Sequence, residues 1–285
     1  MERHLFFEVR GHRLLGALTT PDNAPNPSVG LLLLHGWAGY RAGAHQMFVK
    51  LARESARRGV PCLRFDFRGR GDSEGDMSTT TLSTMIEDAL EAARVLCAET
   101  GVTRVALVGD CSGSEVAIGA CRDISACDRM ILWSAPIVAG DRQAAQQAKQ
   151  RNIIRQYLGK LLRRETWAKL VGGKLQVGMI RRALVGGGKG KGEGGSASDR
   201  DIDWFECFTR FSGRILFIFG AQDPTTEASV AHYRELSGDA RREFELELVE
   251  GANHAFYSVA WERQVIQATL DWLAGPRQAG EDRGQ

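Results

Sequence analysis

The chain has 285 residues, of which 43% are hydrophobic and 25% are charged, and its formal net charge is +2. This length suits one large α/β domain with an insertion, and this composition is that of an ordinary globular protein rather than a disordered one. A net charge so close to zero predicts no general attraction to nucleic acid or to membrane surfaces.

The sequence contains no apolar run long enough to span a membrane, and its first residues, MERHLFFEVRGHRLLGAL, lack the apolar centre of a signal peptide. The six cysteines include no CxxC pair and are too sparse for a disulfide scaffold. We therefore expect a cytoplasmic protein with reduced thiols and no transmembrane segment.

The first 136 residues predict a hairpin followed by alternating strands and helices. The hairpin is expected around Gly11, at one edge of a sheet. The continuous apolar run over residues 29–34 is typical of a central parallel strand that is covered on both faces. Helix-period and strand segments then alternate in the order HQMFVKLARESARRG, PCLRFDF, TLSTMIEDALEAARVLCAETG, RVALVGD and RMILWSAP.

The pattern changes after Pro136. Residues 141 to about 185 are helix-like and contain eleven Lys or Arg against two acidic residues, a net charge of about +9. Residues 186–200 contain no apolar side chain larger than alanine, so they cannot bury a core and are expected to form a flexible Gly-rich loop. The predicted organisation is a core, an inserted helical cap, the rest of the core and a tail, over residues 1–136, 137–210, 211–274 and 275–285.

The core resumes after the insertion with the strand RILFIFG, a helix, the strand EFELELV and a last amphipathic helix that ends near Trp272. Alternation of buried strands and helices is the signature of a parallel sheet wrapped on both faces. The predicted fold class is therefore α/β, with a mostly parallel central sheet of about eight strands and helices on both faces.

The segment VALVGDCSGSEVAIGA indicates a strand, a tight turn and a helix, the arrangement of a nucleophile elbow. The nucleophile of such a turn has a strained backbone, and the strand and helix approach so closely that the positions two before and two after it require glycine. Gly109 and Gly113 fit these positions if Cys111 is the nucleophile. Ser112 as the nucleophile would have no glycine at either position. Ser112, or a degenerate turn with an inert buried cysteine, remains as an alternative.

Two further residues follow in the order that a catalytic triad on this fold requires. Asp223 lies on the loop after the strand RILFIFG, and His254 lies on a loop just before the last helix. Because the chain order is nucleophile, acid and histidine, we expect Cys111, His254 and Asp223 to form a triad.

An oxyanion hole needs two backbone N–H groups that point at the developing negative charge. We expect one from Ser112, the residue after the nucleophile, and the other from Trp37, on the loop after LLLLHG. Backbone groups do this work, so the assignment depends on position rather than on the side chains. The loop DFRGRGDSEGD has neither metal-ligand spacing nor the ending of a phosphate loop, and we expect no cofactor and no metal.

Taken together, these residues resemble the α/β-hydrolase superfamily over about residues 5–273. The stretch GYRAGAHQMFVKLARESARRGVPCLRFDFRGRGDSEG, the cysteine elbow and QYLGKLLRRETWAKLVGGKL resemble the exosortase-A-associated hydrolases of type 1. This resemblance implies a small cytoplasmic hydrolase with cysteine at the elbow, of a kind found in bacterial exopolysaccharide gene neighbourhoods. Dienelactone hydrolases are similar in having a Cys-Asp-His triad on this fold.

A cysteine nucleophile restricts the chemistry. A thiol at the amino end of a helix and beside an imidazole forms thiolate readily, but thiolate also leaves more easily than the alkoxide of an ordinary ester. We therefore expect cleavage or transfer of acyl groups from thioesters or activated esters. Asp110 complicates this expectation, because a buried negative charge beside Cys111 would oppose thiolate formation.

The positive charge of the insertion indicates which kind of partner the protein binds. This charge suits an anionic acyl carrier, either coenzyme A or an acidic acyl carrier protein, although a solvated charged face or contact with a membrane surface would give the same composition. Two other functions remain open. One is a serine-type carboxylesterase that uses Ser112, and the other is a non-catalytic binding protein on a hydrolase scaffold.

Overall fold

The structure is a computed structural model, and it describes residues 1–22, 27–138, 202–240 and 243–275. Most of the predicted cap, the whole Gly-rich loop over residues 186–200 and all but the first residue of the predicted tail lie outside these residues. The fold described below is therefore that of the predicted core and of the end of the predicted insertion.

Eight strands and six α-helices lie in the described part of the chain. The strands are β1 (Glu2–Val9), β2 (His12–Thr19), β3 (Val29–Leu34), β4 (Cys62–Phe65), β5 (Arg104–Asp110), β6 (Cys127–Trp133), β7 (Arg214–Gly220) and β8 (Glu245–Val249). The helices are α1 (Met47–Arg57), α2 (Leu82–Thr100), α3 (Ser112–Ala120), α4 (Trp204–Arg210), α5 (Thr226–Ala240) and α6 (Val259–Ala274).

All eight strands form one sheet in the order β1-β2-β4-β3-β5-β6-β7-β8. Strand β2 is antiparallel to both of its neighbours, β1 and β4. The other six strands of the sheet, β4, β3, β5, β6, β7 and β8, are parallel to one another. The prediction of a mostly parallel sheet of about eight strands is confirmed. The edge hairpin turns at Arg10 and Gly11, which both have positive φ, as a two-residue turn that matches the twist of the strands requires.

Helices cover both faces of the sheet, because the side chains of its central strands are apolar on both sides. Leu32, Leu34 and Leu107 are buried in the cluster that contains α2 and α3. Leu31 and Leu33 are buried in the opposite cluster, with α1 and α6. The apolar run of β3 therefore serves two cores at once, as its sequence predicts.

Helix α4, at the end of the predicted insertion, packs on this same core. Its residues Trp204 and Phe208 are buried in the cluster of α2 and α3. A β-carbon placed on Gly119 of α3 would lie 3.3 Å from the Trp204 ring, so the two helices are in close contact.

The loops that matter for function all leave the sheet at one edge. Strands β3, β5, β7 and β8 are parallel, so their carboxyl ends lie at the same edge of the sheet. Ligands of open α/β sheets bind outside this edge. The predicted site residues lie on the loops that follow these four strands. Trp37, Cys111, Asp223 and His254 therefore lie at the same edge of the sheet.

Candidate active site

Cys111 occupies the sharp turn between β5 and α3. Its backbone has φ 53° and ψ −123°, a conformation that non-glycine residues rarely adopt. Two hydrogen bonds hold the turn: the Cys111 N–H donates to the Trp133 carbonyl, and the Ser114 N–H donates to the Cys111 carbonyl, each at 2.9 Å. The turn therefore presents the Cys111 side chain at the carboxyl edge of the sheet.

The glycines on either side of Cys111 are required by close packing. A β-carbon on Gly109 would lie 2.5 Å from the backbone oxygen of Gly113. A β-carbon on Gly113 would collide with the backbone oxygen of Leu34, at the end of β3. These contacts are the ones that the sequence spacing predicts when Cys111, and not Ser112, is the central residue.

His254 and Asp223 form a hydrogen-bonded pair beside the turn. The Nδ1 of His254 lies 2.7 Å from an Asp223 carboxylate oxygen. The Asp223 side chain is only 2% exposed and also accepts hydrogen bonds from the N–H and hydroxyl groups of Thr225, both at 2.9 Å. The Ser134 hydroxyl donates to the His254 carbonyl at 2.8 Å, which fixes the loop that carries the imidazole.

The pKa values of this pair favour an imidazolium and a carboxylate. The hydrogen bond to Asp223 is the largest cause that raises the pKa of His254 to about 10, and a side-chain hydrogen bond with Cys111 is the next. Burial opposes ionisation of Asp223, but its hydrogen bonds with His254 and Thr225 outweigh burial and lower its pKa. The imidazole thus interacts with both Cys111 and Asp223, and its raised pKa keeps it protonated at neutral pH.

Trp37 and Ser112, the two predicted oxyanion-hole residues, are also brought together. The Trp37 N–H donates a hydrogen bond to the Ser112 hydroxyl oxygen at 2.6 Å. The preceding residue, Gly36, approaches the turn so closely that a β-carbon on it would lie 3.3 Å from the Cys111 β-carbon. The positions of Trp37 and Ser112 in the sequence predict that the two residues approach each other. They do not predict a hydrogen bond from the Trp37 N–H to the Ser112 hydroxyl.

The loop that carries Trp37 is held by the loop DFRGRGDSEGD, which follows β4. The guanidinium carbon of Arg70 lies 4.6 Å from the centre of the Trp37 ring, in cation–π geometry. The buried Asp66 carboxylate accepts hydrogen bonds from Arg41 and from the Asp72 N–H. The sequence of this loop does not predict these contacts, because they depend on how closely two loops approach each other.

Asp110, the residue before Cys111, ends β5 with its carboxyl group beside the site. Burial raises its pKa from 3.8 to about 6, and the nearby charge of His254 only partly opposes this rise. Ionised Asp110 is therefore a poorly compensated charge next to the nucleophilic turn.

Asp110→Asn is expected to stabilise the fold at neutral and alkaline pH. The folded state holds the Asp110 proton more tightly than the unfolded state does, so its contribution to stability falls as the pH rises from about 4 through about 6. We expect the variant to gain about 1–3 kcal/mol in the free energy of unfolding near pH 8 and less near pH 5. Urea denaturation at the two pH values measures the difference.

Asp123→Asn is the matched control, because it removes an exposed carboxylate in the turn that follows α3. Its free energy of unfolding is expected to stay within about 0.5 kcal/mol of the parent at both pH values. A gain for Asp110→Asn that is equal at the two pH values would contradict burial of the charge as its cause.

Other kinds of site are not evident in the described residues. Within residues 1–22, 27–138, 202–240 and 243–275, no group of three or more His, Cys, Asp or Glu residues is placed to hold a metal ion. In the same part of the chain, no helix is long and apolar enough to cross a membrane.

Comparisons with known proteins agree with this fold. A family model described as the alpha/beta hydrolase family matches residues 31–268. Est1E from Butyrivibrio proteoclasticus, solved with ferulic acid, is similar with a TM-score of 0.63 and 18% identity, over 95% of this chain and 100% of that chain. No curated protein matches the sequence.

Two further solved structures are similar to the same extent. An esterase from Pyrococcus furiosus has a TM-score of 0.63 at 15% identity, over 96% of this chain and 90% of that one. A dienelactone hydrolase from Anabaena variabilis has a TM-score of 0.61 at 13% identity, over 98% and 99% of the two chains. At such identities the likeness extends to the fold alone.

Proposed function

Because the chain belongs to the alpha/beta hydrolase family, we propose that it is a cysteine hydrolase of thioesters or activated esters. In this proposal Cys111 is the nucleophile, His254 the general acid–base and Asp223 the residue that orients the imidazole. The resemblance to exosortase-A-associated hydrolases of type 1 is in keeping with a cysteine in this position.

One observation carries the choice of nucleophile. Cys111 has the strained backbone of the elbow, and its side chain interacts with the His254 imidazole and helps to raise the pKa of that ring. The Ser112 hydroxyl is instead held by the Trp37 N–H, at 2.6 Å. A nucleophile must lie beside its base, and Cys111 is the residue of the turn whose side chain interacts with the His254 imidazole.

The proposed reaction starts from a Cys111 thiolate paired with the His254 imidazolium. The sulfur attacks the acyl carbon, an S–C bond forms, and the carbonyl π electrons move to the oxygen. When the intermediate collapses, the bond to the leaving group breaks, and the leaving group takes the imidazolium proton as it departs. Water, deprotonated by the now neutral imidazole, then attacks the acyl-enzyme and releases a carboxylic acid and the Cys111 thiolate.

The same scheme accounts for transfer as well as hydrolysis. The acyl-enzyme is itself a thioester, so an alcohol or an amine can replace water as the second nucleophile. The first tetrahedral intermediate can expel either the Cys111 thiolate or the leaving group of the substrate, and it expels the weaker base more readily. A thiolate is a weaker base than an alkoxide. An ordinary alkyl ester therefore tends to return to substrate, whereas a thioester has no such bias.

The substrate class can be tested with three esters of one acyl group: an ethyl ester, an N-acetylcysteamine thioester and a coenzyme A thioester. We expect kcat/KM for the N-acetylcysteamine thioester to exceed that for the ethyl ester by about 100-fold or more, equivalent to about 2.7 kcal/mol in barrier height. Chromatography of the released carboxylic acid in quenched samples measures both reactions without a reagent that would modify Cys111. Equal values for the two esters would contradict the preference for thioesters.

The coenzyme A thioester tests the proposed anionic carrier. The sequence over residues 141 to about 185 carries about +9, and it lies outside the described residues. If this charge attracts the carrier, the coenzyme A thioester has the higher kcat/KM at low salt, and the advantage shrinks as salt is added. A ratio that does not change with salt would argue against the attraction.

Two alternative functions have less support. A serine-type carboxylesterase would need Ser112 to turn away from Trp37 and towards His254, and the similar esterases share only the fold with this chain. A non-catalytic binding protein would have no use for the His254–Asp223 hydrogen bond of 2.7 Å beside a strained cysteine. The thioester reaction is the function that this geometry supports best.

A further inference from the structure

The Ser112 hydroxyl is hydrogen-bonded to the backbone N–H of Trp37, which is the second predicted oxyanion-hole donor. Its oxygen accepts the Trp37 N–H at 2.6 Å, so this N–H is already satisfied. Ser112 is the first residue of α3, and its own backbone N–H is one of the donors that a helix leaves unpaired at its amino end. Ser112 therefore supplies one of the two predicted backbone donors, its own N–H, while its hydroxyl occupies the other, the Trp37 N–H.

A hydroxyl in this position can replace the donor that it blocks. A serine hydroxyl has one proton to donate and two lone pairs with which to accept. Because the Ser112 oxygen accepts from Trp37, its own proton remains available for the substrate oxygen. The hydrogen bond from the Trp37 N–H polarises the hydroxyl and makes it a better donor, as in other hydrogen-bonded chains.

We propose that the Ser112 hydroxyl is an oxyanion-hole donor, and that Trp37 acts through it rather than on the substrate. This inference rests on the proposed function, since it assigns a further catalytic residue to the same acyl transfer. As the Cys111 sulfur forms its bond to the acyl carbon, the negative charge on the acyl oxygen accepts hydrogen bonds from the Ser112 hydroxyl and N–H. The hydroxyl keeps its proton throughout, and the charge returns to a carbonyl when the leaving group departs.

The surroundings of Ser112 suit this role. The Trp37 N–H fixes the hydroxyl before substrate arrives, so little reorganisation is needed in the transition state. Trp37 is itself held by the Arg70 guanidinium, which lies 4.6 Å from its ring. The amino end of α3 adds its dipole in the same place. The serine next to the cysteine is thus accounted for as a donor instead of a second nucleophile.

The test compares acylation with alkylation of Cys111 in the full chain. Acylation by an N-acetylcysteamine thioester passes through an oxyanion, whereas alkylation by iodoacetamide is a displacement at a saturated carbon and forms none. We expect Ser112→Ala to lower the acylation rate constant about 10- to 100-fold, below the full effect of a lost donor because Trp37 becomes free to substitute. The alkylation rate constant should stay within about twofold. Ser112→Thr retains a hydroxyl and should recover most of the acylation rate.

Three results would overturn the inference. Acylation of Ser112→Ala that is as fast as the parent's would mean that the Trp37 N–H binds the oxyanion directly. Equal losses in acylation and alkylation would mean that the hydroxyl acts on the thiolate. A parent protein that is alkylated by iodoacetamide but never acylated would refute the proposed function and this inference together, and it is distinct from the other two results.

Discussion

Replacing Cys111 by alanine is expected to lower kcat/KM for an acyl thioester by roughly 10⁴- to 10⁶-fold. The variant keeps the oxyanion donors and the substrate contacts but has no atom that can form the acyl-enzyme. Removal of the nucleophile or of the histidine alone costs nearly as much as removal of the whole triad, because the members act as a unit. Steady-state turnover of the N-acetylcysteamine thioester measures the loss.

The control for this variant is Cys97→Ala, which removes a half-buried thiol on α2 outside the site. It should retain turnover within about twofold of the parent. Turnover by Cys111→Ala within tenfold of the parent would remove Cys111 from the mechanism. A biological effect that persists undiminished in Cys111→Ala would favour the non-catalytic alternative.

Asp223→Asn is expected to lower kcat about 10²- to 10⁴-fold while leaving the fold intact. Asp223 makes the largest contribution to the raised pKa of His254, so its loss removes both the imidazolium and the orientation of the ring. In the parent the imidazole holds its proton up to about pH 10. In the variant the proton leaves the imidazole at lower pH, so a smaller fraction of the protein holds the His254 imidazolium near pH 8.

Two measurements together test this prediction. Steady-state kinetics give kcat, and an NMR titration of the His254 ring gives the shift of its pKa, which should fall by more than about one unit. Asp271→Asn, which removes an exposed carboxylate near the end of α6, is the control and should change neither value. A normal kcat with a lowered His254 pKa would show that the imidazolium is not needed.

The sequence predicts the framework of the site because the framework depends on backbone geometry. The spacing of Gly109 and Gly113 identifies Cys111 as the centre of the turn, and the collisions that a β-carbon would cause at these positions are the physical reason. The apolar run of β3 likewise predicts a strand buried on both faces. Loops that follow parallel strands then meet at one edge, which brings Asp223 and His254 together.

The contacts around the oxyanion hole could not be predicted in the same way. The hydrogen bond between the Trp37 N–H and the Ser112 hydroxyl depends on a side-chain rotamer and on how closely two loops approach. The position of Arg70 over Trp37 depends on a third loop, and no periodicity links these residues. For Asp110, the sequence shows a carboxyl group beside the nucleophile, but only its burial determines that its pKa rises to about 6.

Covalent labelling tests the central claim most directly. The protein is mixed briefly with an acyl thioester and quenched in acid, its intact mass is measured, and the adduct is located by tandem mass spectrometry. The tryptic peptide over residues 105–122 contains Cys111, Ser112 and Cys121, so fragment ions must assign the site. The account predicts one acyl group on Cys111, which neutral hydroxylamine removes because the bond is a thioester. An acyl group on Ser112 that resists hydroxylamine would contradict it.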